Sequence, residues 1–316
     1  MAPPQLLAGQ HYRTFRNWLE SCGVRLSLLT GSRWDGGLLE IDGEARIIIG
    51  TNALVYERVE FDDLGLVVID EQHKFGVGQR ALLVRQGVMP DVLVMTATPI
   101  PRTLTLTLYG DLDVSILDER PAGRGEVVTA LRKSPKVSDI TKFLKEHLST
   151  GRQAYLVYPL VEESDSLKAQ AATNEFDKWV KRLSKFQLGL LHGKMPAEQK
   201  EQVMSSFREG ELQVLVATTV IEVGVDVPNA NIMVIYNAER FGLAQLHQLR
   251  GRIGRGEFKS YCILATDGKS PEAMEKLQVL ADTTDGFKIS EADLRLRGPG
   301  DLLGTAQSGL ADLRFV

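Results

Sequence analysis

The sequence predicts an α/β protein with two domains, each built on a parallel sheet that helices cover on both faces. Short β-branched runs bounded by Gly, Asp or Pro are typical of buried parallel strands, and helical segments alternate with them. The length of 316 residues also favours two domains over one. The predicted strands are Arg46–Gly50, Leu66–Asp70, Val92–Thr96, Tyr155–Tyr158, Val214–Ala217, Ile232–Tyr236 and Tyr261–Ala265.

Three further patterns bear on helices and on the domain boundary. Apolar residues at offsets of 4, 7, 8 and 11 predict one buried helical face in the second half. The charged segment Leu117–Glu126, with Pro and two Gly, predicts a domain boundary. Near the end of the chain, Ser290 and Asp293 predict a capping box for a short helix. The predicted helical face comprises Ala172, Phe176, Trp179, Val180 and Leu183. The expected domains are 1–124, 125–283 and a loop-rich third segment, 284–316.

The composition is that of an ordinary folded protein. With 43% hydrophobic and 25% charged residues, extended disorder is excluded. A net charge of −4 excludes a wholly basic nucleic-acid binder, although a local basic groove could still hold phosphates. No transmembrane run and no signal-peptide pattern occur, so no membrane association is expected. Cys22 and Cys262 give neither a disulfide framework nor a zinc spacing, which predicts a reducing, cytoplasmic location.

Two polar motifs end neighbouring apolar runs in the first half. Asp70 and Glu71 follow the run that begins at Leu66. Because ligands bind at the carboxyl ends of parallel strands, this pair suits a metal–triphosphate site, with one acid for Mg²⁺ and one for the attacking water. The hydroxyls of Thr96-Ala97-Thr98 could link an acid or a phosphate to another domain. Each motif alone could instead be an ordinary polar turn.

Two signals of the same kind occur in the second half. The stretch Ala217–Pro228 follows a strand and contains hydroxyls, a glycine and an acid. The segment Gln245–Arg255 brings Arg250, Arg252 and Arg255 together, and guanidinium groups suit phosphate recognition. The alternative interpretations are a glycine-bearing loop and a solvated basic loop.

These four motifs, in this order, resemble motifs II, III, V and VI of superfamily 2 nucleic-acid helicases. Longer stretches are similar to the RecG family of branch-migrating DNA helicases, nearly end to end. They are DEQHKFGVGQR, MTATPIPRTL, LLHGKM and RLRGPGDLLGTAQSG. The resemblance implies two RecA-like domains, the first incomplete at its amino terminus, and a helical-hairpin translocation segment. It also implies ATP and Mg²⁺ as cofactors, branched duplex DNA such as forks and Holliday junctions as partner, and a monomer.

The resemblance also implies residue roles. Asp70 would bind Mg²⁺, Glu71 would activate water, and Arg252 and Arg255 would reach the γ-phosphate. Further nucleotide-binding residues would be His73, Gly224, Asp226 and Gln248. Residues that couple hydrolysis to movement would be Thr96, Thr98, Arg297 and Gln307. Contacts to DNA phosphates would involve Pro3, Gly50, Thr51, Gly193, Lys194 and Thr218.

One motif of these helicases does not occur in the sequence. The phosphate-binding pattern G-x-x-x-x-G-K-[ST] is absent, and the single G-K-S, Gly268–Ser270, has Ile263 where the first glycine is required. We therefore expect a carboxy-terminal part of a longer protein that is inactive alone. Its first domain is expected to expose apolar sheet and to be unstable, whereas residues from about 125 onward should fold alone. The alternatives are an Mfd-like transcription-repair translocase, disfavoured by the Q-H ending of D-E-Q-H, and a non-catalytic DNA-binding remnant.

Overall fold

In a computed structural model the chain divides into two units. The described residues of the first unit end at Ala97, and those of the second begin at Asp113 and end at Arg297. The expected domain boundaries at 124/125 and 283/284 stay predictions. The structure describes residues 1–2, 5–30, 33–35, 47–56, 63–71, 90–97, 113–117, 119, 123–159, 165–218, 227–268 and 270–297.

The first unit combines short strands with a long helix. Its elements are α1 (Gln5–Leu19), a 3-10 turn (Glu20–Cys22), β1 (Leu26–Thr30), β2 (Arg33–Asp35), β3 (Ile47–Gly50), α2 (Ala53–Tyr56), β4 (Leu66–Ile69) and β5 (Asp91–Val94). Strand β1 pairs in parallel with β3 and antiparallel with β2, whereas β4 pairs in parallel with β5. Predicted strands in this unit are therefore confirmed, but β1 and β2 were not predicted.

The backbone of residues 1–2 lies between β3 and β4. The amide of Ala2 donates to Gly50 O at 2.8 Å, and the amide of Asp70 donates to Met1 O at 3.0 Å. These bonds connect the two groups of strands. They also place the carboxyl ends of β3 and β4 on either side of the same short segment, which is where the predicted motifs lie.

The core of the first unit lies where α1 and α2 pack on the strands. Leu29 and Ile69 are each 1% exposed and anchor this core. Strand β5 is less well covered, since Val92 is 40% and Leu93 51% exposed. Exposed apolar sheet of this kind was expected from the sequence, and a half-exposed side chain forgoes about half of the roughly 1.5–3 kcal/mol that full burial contributes.

The second unit is a six-stranded parallel sheet with helices around it. The strand order is β6-β11-β10-β7-β9-β8, and every pairing is parallel. The strands are β6 (Val127–Lys133), β7 (Gln153–Val157), β8 (Leu188–Leu191), β9 (Val214–Ala217), β10 (Ala230–Ile235) and β11 (Ser260–Thr266). The helices are α3 (Val137–Leu148), α4 (Asp165–Arg182), α5 (Ala197–Arg208), α6 (Leu243–Arg250), α7 (Pro271–Asp282) and α8 (Gly286–Arg297), with a 3-10 turn at Ala238–Arg240.

Helix α4 contains most of the predicted buried face. Ala172, Trp179 and Leu183, the residue that follows the helix, are 5%, 1% and 0% exposed and pack toward the sheet. Phe176 is partly buried against the same core. Val180 is 41% exposed, so its assignment to this face was wrong. The width of the apolar stripe was overestimated because the helix buries a narrower arc against β8 and β9.

The last described helix begins earlier than the sequence predicts. Asp285 Oδ1 accepts hydrogen bonds from the amides of Phe287 (2.9 Å) and Lys288 (3.4 Å), which makes Asp285 the N-cap of α8. The predicted capping box at Ser290 and Asp293 is therefore wrong, because both residues lie inside the helix. Helix α8 packs on α6 and α7. None of the helices in the described ranges is long and apolar enough to cross a membrane.

Candidate nucleotide and nucleic-acid sites

The two predicted catalytic acids lie directly after β4. The backbone amide of Asp70 is held by Met1 O, and its Oδ2 atom lies 3.3 Å from His11 Nε2 on α1. Glu71 has φ 50°, the left-handed region that a glutamate rarely adopts. Residues in such conformations cluster at functional sites because the surrounding structure holds them there. The turn thus directs two neighbouring acids away from the strand.

His11 is a residue that the sequence does not reveal as part of this site. It is 59 positions from Asp70, and α1 positions it by packing on β1 and β3. A positioned imidazole beside the carboxylate fixes one of its two oxygens. Asp70 and Glu71 offer two neighbouring carboxyl groups, and Mg²⁺ is usually bound by one or two carboxylates together with substrate phosphates. Within the described ranges, no cluster of three or more potential metal ligands occurs, so a closed all-protein metal cage is not formed there.

The pairing of β4 with β5 brings the second motif beside the acids. Ile69 is in register with Val94, and the amide of Met95 donates to Ile69 O at 2.8 Å. Thr96 follows immediately and is exposed. The acid turn and the threonine motif therefore leave adjacent strands at the same edge. Thr98 and His73 lie outside the described residues.

Gly50 and Thr51, predicted to contact DNA, end β3 at this same edge. A Cβ at position 50 would overlap Leu29 O and lie 2.7 Å from Leu54 Cγ, so only glycine fits. Thr51 is 3% exposed, and its hydroxyl accepts from the amide of Ala53 at 3.4 Å, at the start of α2. The buried threonine side chain holds this turn. A DNA contact here would therefore involve the backbone rather than the Thr51 hydroxyl. Pro3 lies outside the described residues.

In the second unit, β8 and β9 end side by side. Leu191 is in register with Ala217, and the amide of Thr218 donates to Leu191 O at 3.1 Å. The exposed Gly193–Lys194 turn after β8 thus lies next to Thr218 after β9. Lys200 on α5 donates to Gly193 O at 2.6 Å and fixes this turn. The structure therefore brings three of the predicted DNA-contacting residues to one edge.

Two side-chain polar atoms at this edge are buried, Thr218 Oγ1 and His192 Nδ1. Thr218 is 3% exposed, and its Oγ1 atom has no hydrogen-bond partner among the described residues. Burial, with Lys200 and Lys194 nearby, lowers the pKa of His192. Its place directly before the Gly193–Lys194 turn suits a positioning role. Gly224 and Asp226 lie outside the described residues.

The three clustered arginines do not share one environment. Arg250 is 4% exposed and points into the protein. Its Nη1 atom donates to Leu280 O (2.6 Å) and Thr283 O (2.8 Å), with Thr129 Oγ1 at 3.4 Å. Its Nη2 atom lies 3.2 Å from His247 Nδ1. Arg250 therefore binds the end of α7 to α6 and β6 and is a structural residue, not part of the expected basic phosphate-binding group.

The remaining residues of this motif lie on the last turns of α6 and directly after it. Gln248 is half-buried on the helix, and Arg252 is 9% exposed. Arg255 is more accessible, and its Nε atom donates to Gly251 O at 3.4 Å. Gly254 between them has φ 73°, and a Cβ there would overlap the Val127 side chain. The glycine thus permits the sharp turn that separates Arg252 from Arg255.

The predicted coupling residues near the end of the chain are only partly described. Arg297 is the last residue of α8, but its side chain lies outside the description. Gln307 lies outside the described residues as well.

Three family models match the chain in succession. The DEAD/DEAH box helicase model matches residues 1–107, and the helicase conserved C-terminal domain matches residues 135–257. The model for domain 3, C-terminal, of ATP-dependent DNA helicase RecG matches residues 283–316.

Curated relatives match over the whole chain. The ATP-dependent DNA helicase RecG of Synechocystis sp. is 50% identical over 100% of this chain and 39% of its own length. The proteins of the same name from Bacillus subtilis and Escherichia coli K12 are each 49% identical over 100% of this chain and 47% of their own length. The chain therefore spans about two fifths to one half of these relatives.

Solved structures match the same fold. A structure of RecG bound to a three-way DNA junction has a TM-score of 0.74 and 44% identity, covering 97% of this chain and 42% of that chain. Dbp5 of S. cerevisiae, bound to RNA and ADP BeF3, has a TM-score of 0.66 and 16% identity, covering 94% of this chain and 79% of that chain. The second likeness concerns fold alone. The sheets and these helicase neighbours identify two RecA-like α/β domains.

Proposed function

The chain belongs to the RecG family of superfamily 2 helicases, and on this premise we propose that it forms the motor part of an ATP-dependent DNA helicase that branch-migrates forks and Holliday junctions. The supporting observation is the identity of about one half with RecG relatives along the entire chain. Because the chain spans less than half of those relatives, this activity is a proposal for the whole protein. A cytoplasmic monomer that acts on branched duplex DNA fits the same family.

The first unit would provide the hydrolytic acids. Asp70 would hold Mg²⁺, whose charge would stabilise the transferred phosphoryl group. Glu71, on its left-handed turn, would orient and deprotonate the attacking water. His11 would keep Asp70 in one orientation, and Thr96 on the neighbouring strand end would respond to changes at the acids.

The second unit would provide cations and DNA contacts. Arg252 and Arg255 would reach the γ-phosphate, assisted by Gln248, since guanidinium forks suit phosphate oxygens. Lys194 and the backbone of Gly193 would hold a DNA phosphate, because Lys200 fixes that turn. Residues still proposed without structural description are Pro3, His73, Thr98, Gly224, Asp226 and Gln307.

We also propose that the 316-residue chain alone does not turn over ATP at a useful rate. Its sequence contains no G-x-x-x-x-G-K-[ST] loop, whose backbone amides and lysine would hold the phosphates. A site that contains the acids and the arginines but not this loop would lack the groups that position the triphosphate.

A fusion experiment tests both statements. The amino-terminal segment of the Bacillus subtilis relative that precedes its match is fused to the amino terminus of this chain, and ATP hydrolysis is measured with forked DNA. We expect DNA-stimulated turnover in the fusion, a fall of about 100-fold or more for Glu71→Gln, and little turnover in the chain alone. Glu126→Gln is the matched control, since Glu126 pairs with Lys259 on the surface. A stable fusion no faster than its Glu71→Gln variant would refute the motor function. Near-native turnover by the chain alone would refute the second statement.

A further inference from the structure

A cavity of about 470 Å³ opens at the carboxyl edge of the six-stranded sheet in the second unit. Its walls come from residues at or just after the carboxyl ends of β6, β7, β9, β10 and β11, and from one side of α4. Ligands of parallel α/β sheets bind outside the carboxyl ends of the strands, and the volume is in the range of small-molecule sites. Thr218, proposed above as a DNA contact, is one of the lining residues.

One wall of the cavity is aromatic. The rings of Tyr158 and Tyr236 stack with centroids 4.7 Å apart and planes inclined by 7°. Trp179 Nε1 donates to the Tyr158 hydroxyl at 2.7 Å and locks this pair in place. Aromatic walls of this kind bind nucleobases by stacking, and such stacking tolerates any base.

Two hydroxyl groups beside this wall lack partners among the described residues. They are Thr218 Oγ1 and the Tyr236 hydroxyl, both buried. Burial raises the pKa of Tyr236, so its hydroxyl keeps its proton and can donate. An unsatisfied buried polar group is costly, and a ligand that offers a hydrogen-bond acceptor would remove that cost. Carbonyl oxygens and ring nitrogens of a nucleobase are such acceptors.

The rim of the cavity is weakly cationic. Lys178, Arg182 and Arg240 line it together with Glu175 and Asp267, which leaves three cations against two anions. Lys178 already pairs with Glu175 at 2.6 Å. The two arginines therefore outweigh the remaining acid, and a phosphate at the rim would be attracted.

We propose that this cavity binds one unpaired nucleotide, with its base beside Tyr158 and Tyr236 and its phosphate near Arg182 and Arg240. The inference rests on the proposed DNA-helicase function, since it adds a nucleotide subsite next to the expected backbone contact at Thr218. The nucleotide could belong to a DNA strand or be a free mononucleotide, and the shared chemistry is an aromatic base with an anionic phosphate.

The test is equilibrium binding to the 316-residue chain without ATP. Three labelled probes are used: the single strand dT12, a blunt 12-base-pair duplex and dTMP. The variants are Tyr236→Phe and Arg182→Gln. Tyr236→Phe removes only a hydroxyl that lacks a partner in the described part of the chain, so the fold is expected to be kept. Tyr261→Phe, at the amino end of β11, is the matched control.

We expect Tyr236→Phe to weaken dT12 binding about fivefold, as for one lost hydrogen bond. Arg182→Gln should weaken it about tenfold and reduce the salt slope by about 0.7, as for one lost phosphate contact on a single strand. Duplex binding and the Tyr261→Phe variant should show no such losses. If the same two variants weaken dTMP binding as strongly, the cavity takes free nucleotides, and the proposed subsite still holds.

Outcomes for the two proposals differ. If the wild-type chain binds no DNA but binds dTMP in a Tyr236-dependent manner, the result supports the subsite and contradicts the proposed DNA-helicase function. If both variants bind dT12 and dTMP as the wild type does, or if neither probe binds, the subsite is refuted whatever the fusion protein hydrolyses.

Discussion

Replacing Arg250 by methionine should destabilise the second unit without a direct effect on any site. Arg250 is 4% exposed, and its guanidinium donates to Leu280 O and Thr283 O at 2.6 and 2.8 Å. These carbonyls belong to the last turn and the C-cap of α7, where intrahelical donors have run out. Methionine keeps most of the side-chain volume but donates nothing.

The expected magnitude follows from those two bonds. Each buried carbonyl left without a donor costs about 1–3 kcal/mol, and the helix end also loses a favourable cation. The protein no longer has to bury a charge, which offsets part of the loss. We therefore expect Arg250→Met to lower the free energy of unfolding by about 2–4 kcal/mol. For a unit of this size, that lowers the Tm by roughly 5–15 °C.

Thermal and urea unfolding followed by circular dichroism measure this change. Arg255→Met is the matched control, since it removes the same group from a surface position, and its stability should change by less than about 0.5 kcal/mol. In the fusion protein, Arg255→Met should instead lower ATP turnover. The structural assignment of Arg250 would be refuted if Arg250→Met unfolded like the wild type while losing turnover.

Three further predictions concern stability. Gly50→Ala should destabilise the first unit by about 2 kcal/mol or more, because a Cβ overlaps neighbouring backbone, and hydrogen exchange in α1 should report it. Burial raises the pKa of Cys262 to about 12 and also raises those of Tyr158 and Tyr236. These groups ionise at lower pH in the unfolded chain than in the folded protein, so the free energy of unfolding should fall above about pH 9. Cys262→Ala should make this fall with pH less steep. Limited proteolysis should leave a resistant core within residues 125–297; a resistant core confined to 1–124 would contradict the expected independence of the second unit.

The strands that the sequence predicts and those it misses differ in a physical way. Runs such as Val214–Ala217 lie between two neighbouring strands and are apolar throughout, so their composition alone predicts them. Strand β8, LGLL, contains Gly189, which suggests a break. In the structure a Cβ at this position would lie 2.7 Å from Leu212 Cδ1, so the glycine permits close packing within a regular strand. Strand β6 was missed because it ends in Arg132 and Lys133 at one side of the sheet.

For the candidate sites, too, the sequence predicts local segments but not the contacts between distant ones. Composition predicted the two apolar runs that lead to Asp70 and Thr96, whereas the parallel pairing that brings their ends to one edge is seen only in the structure. The partner of Asp70, His11, and the partners of Arg250 depend on tertiary packing between segments that are distant in sequence. Spacing alone grouped three arginines, of which the structure buries Arg250 and Arg252 and leaves Arg255 more accessible.

The two ends of the second sheet contain similar residue types in opposite roles. At the amino end, Arg152 lies 3.2 Å from the centroid of the Phe258 ring and donates to Asn229 Oδ1 at 3.2 Å. Those partners satisfy the guanidinium within the fold. At the carboxyl end, Arg182 lies 5.2 Å from the Trp179 ring, beside an open cavity. Arg152→Gln should therefore lower the free energy of unfolding and leave dT12 affinity unchanged. Arg182→Gln should lower dT12 affinity and leave the free energy of unfolding unchanged. Both substitutions remove one positive charge from the same unit, so net charge cannot explain a difference in their effects. Such a difference would come from the end of the sheet at which each arginine lies, because the cavity opens at the carboxyl ends of the strands.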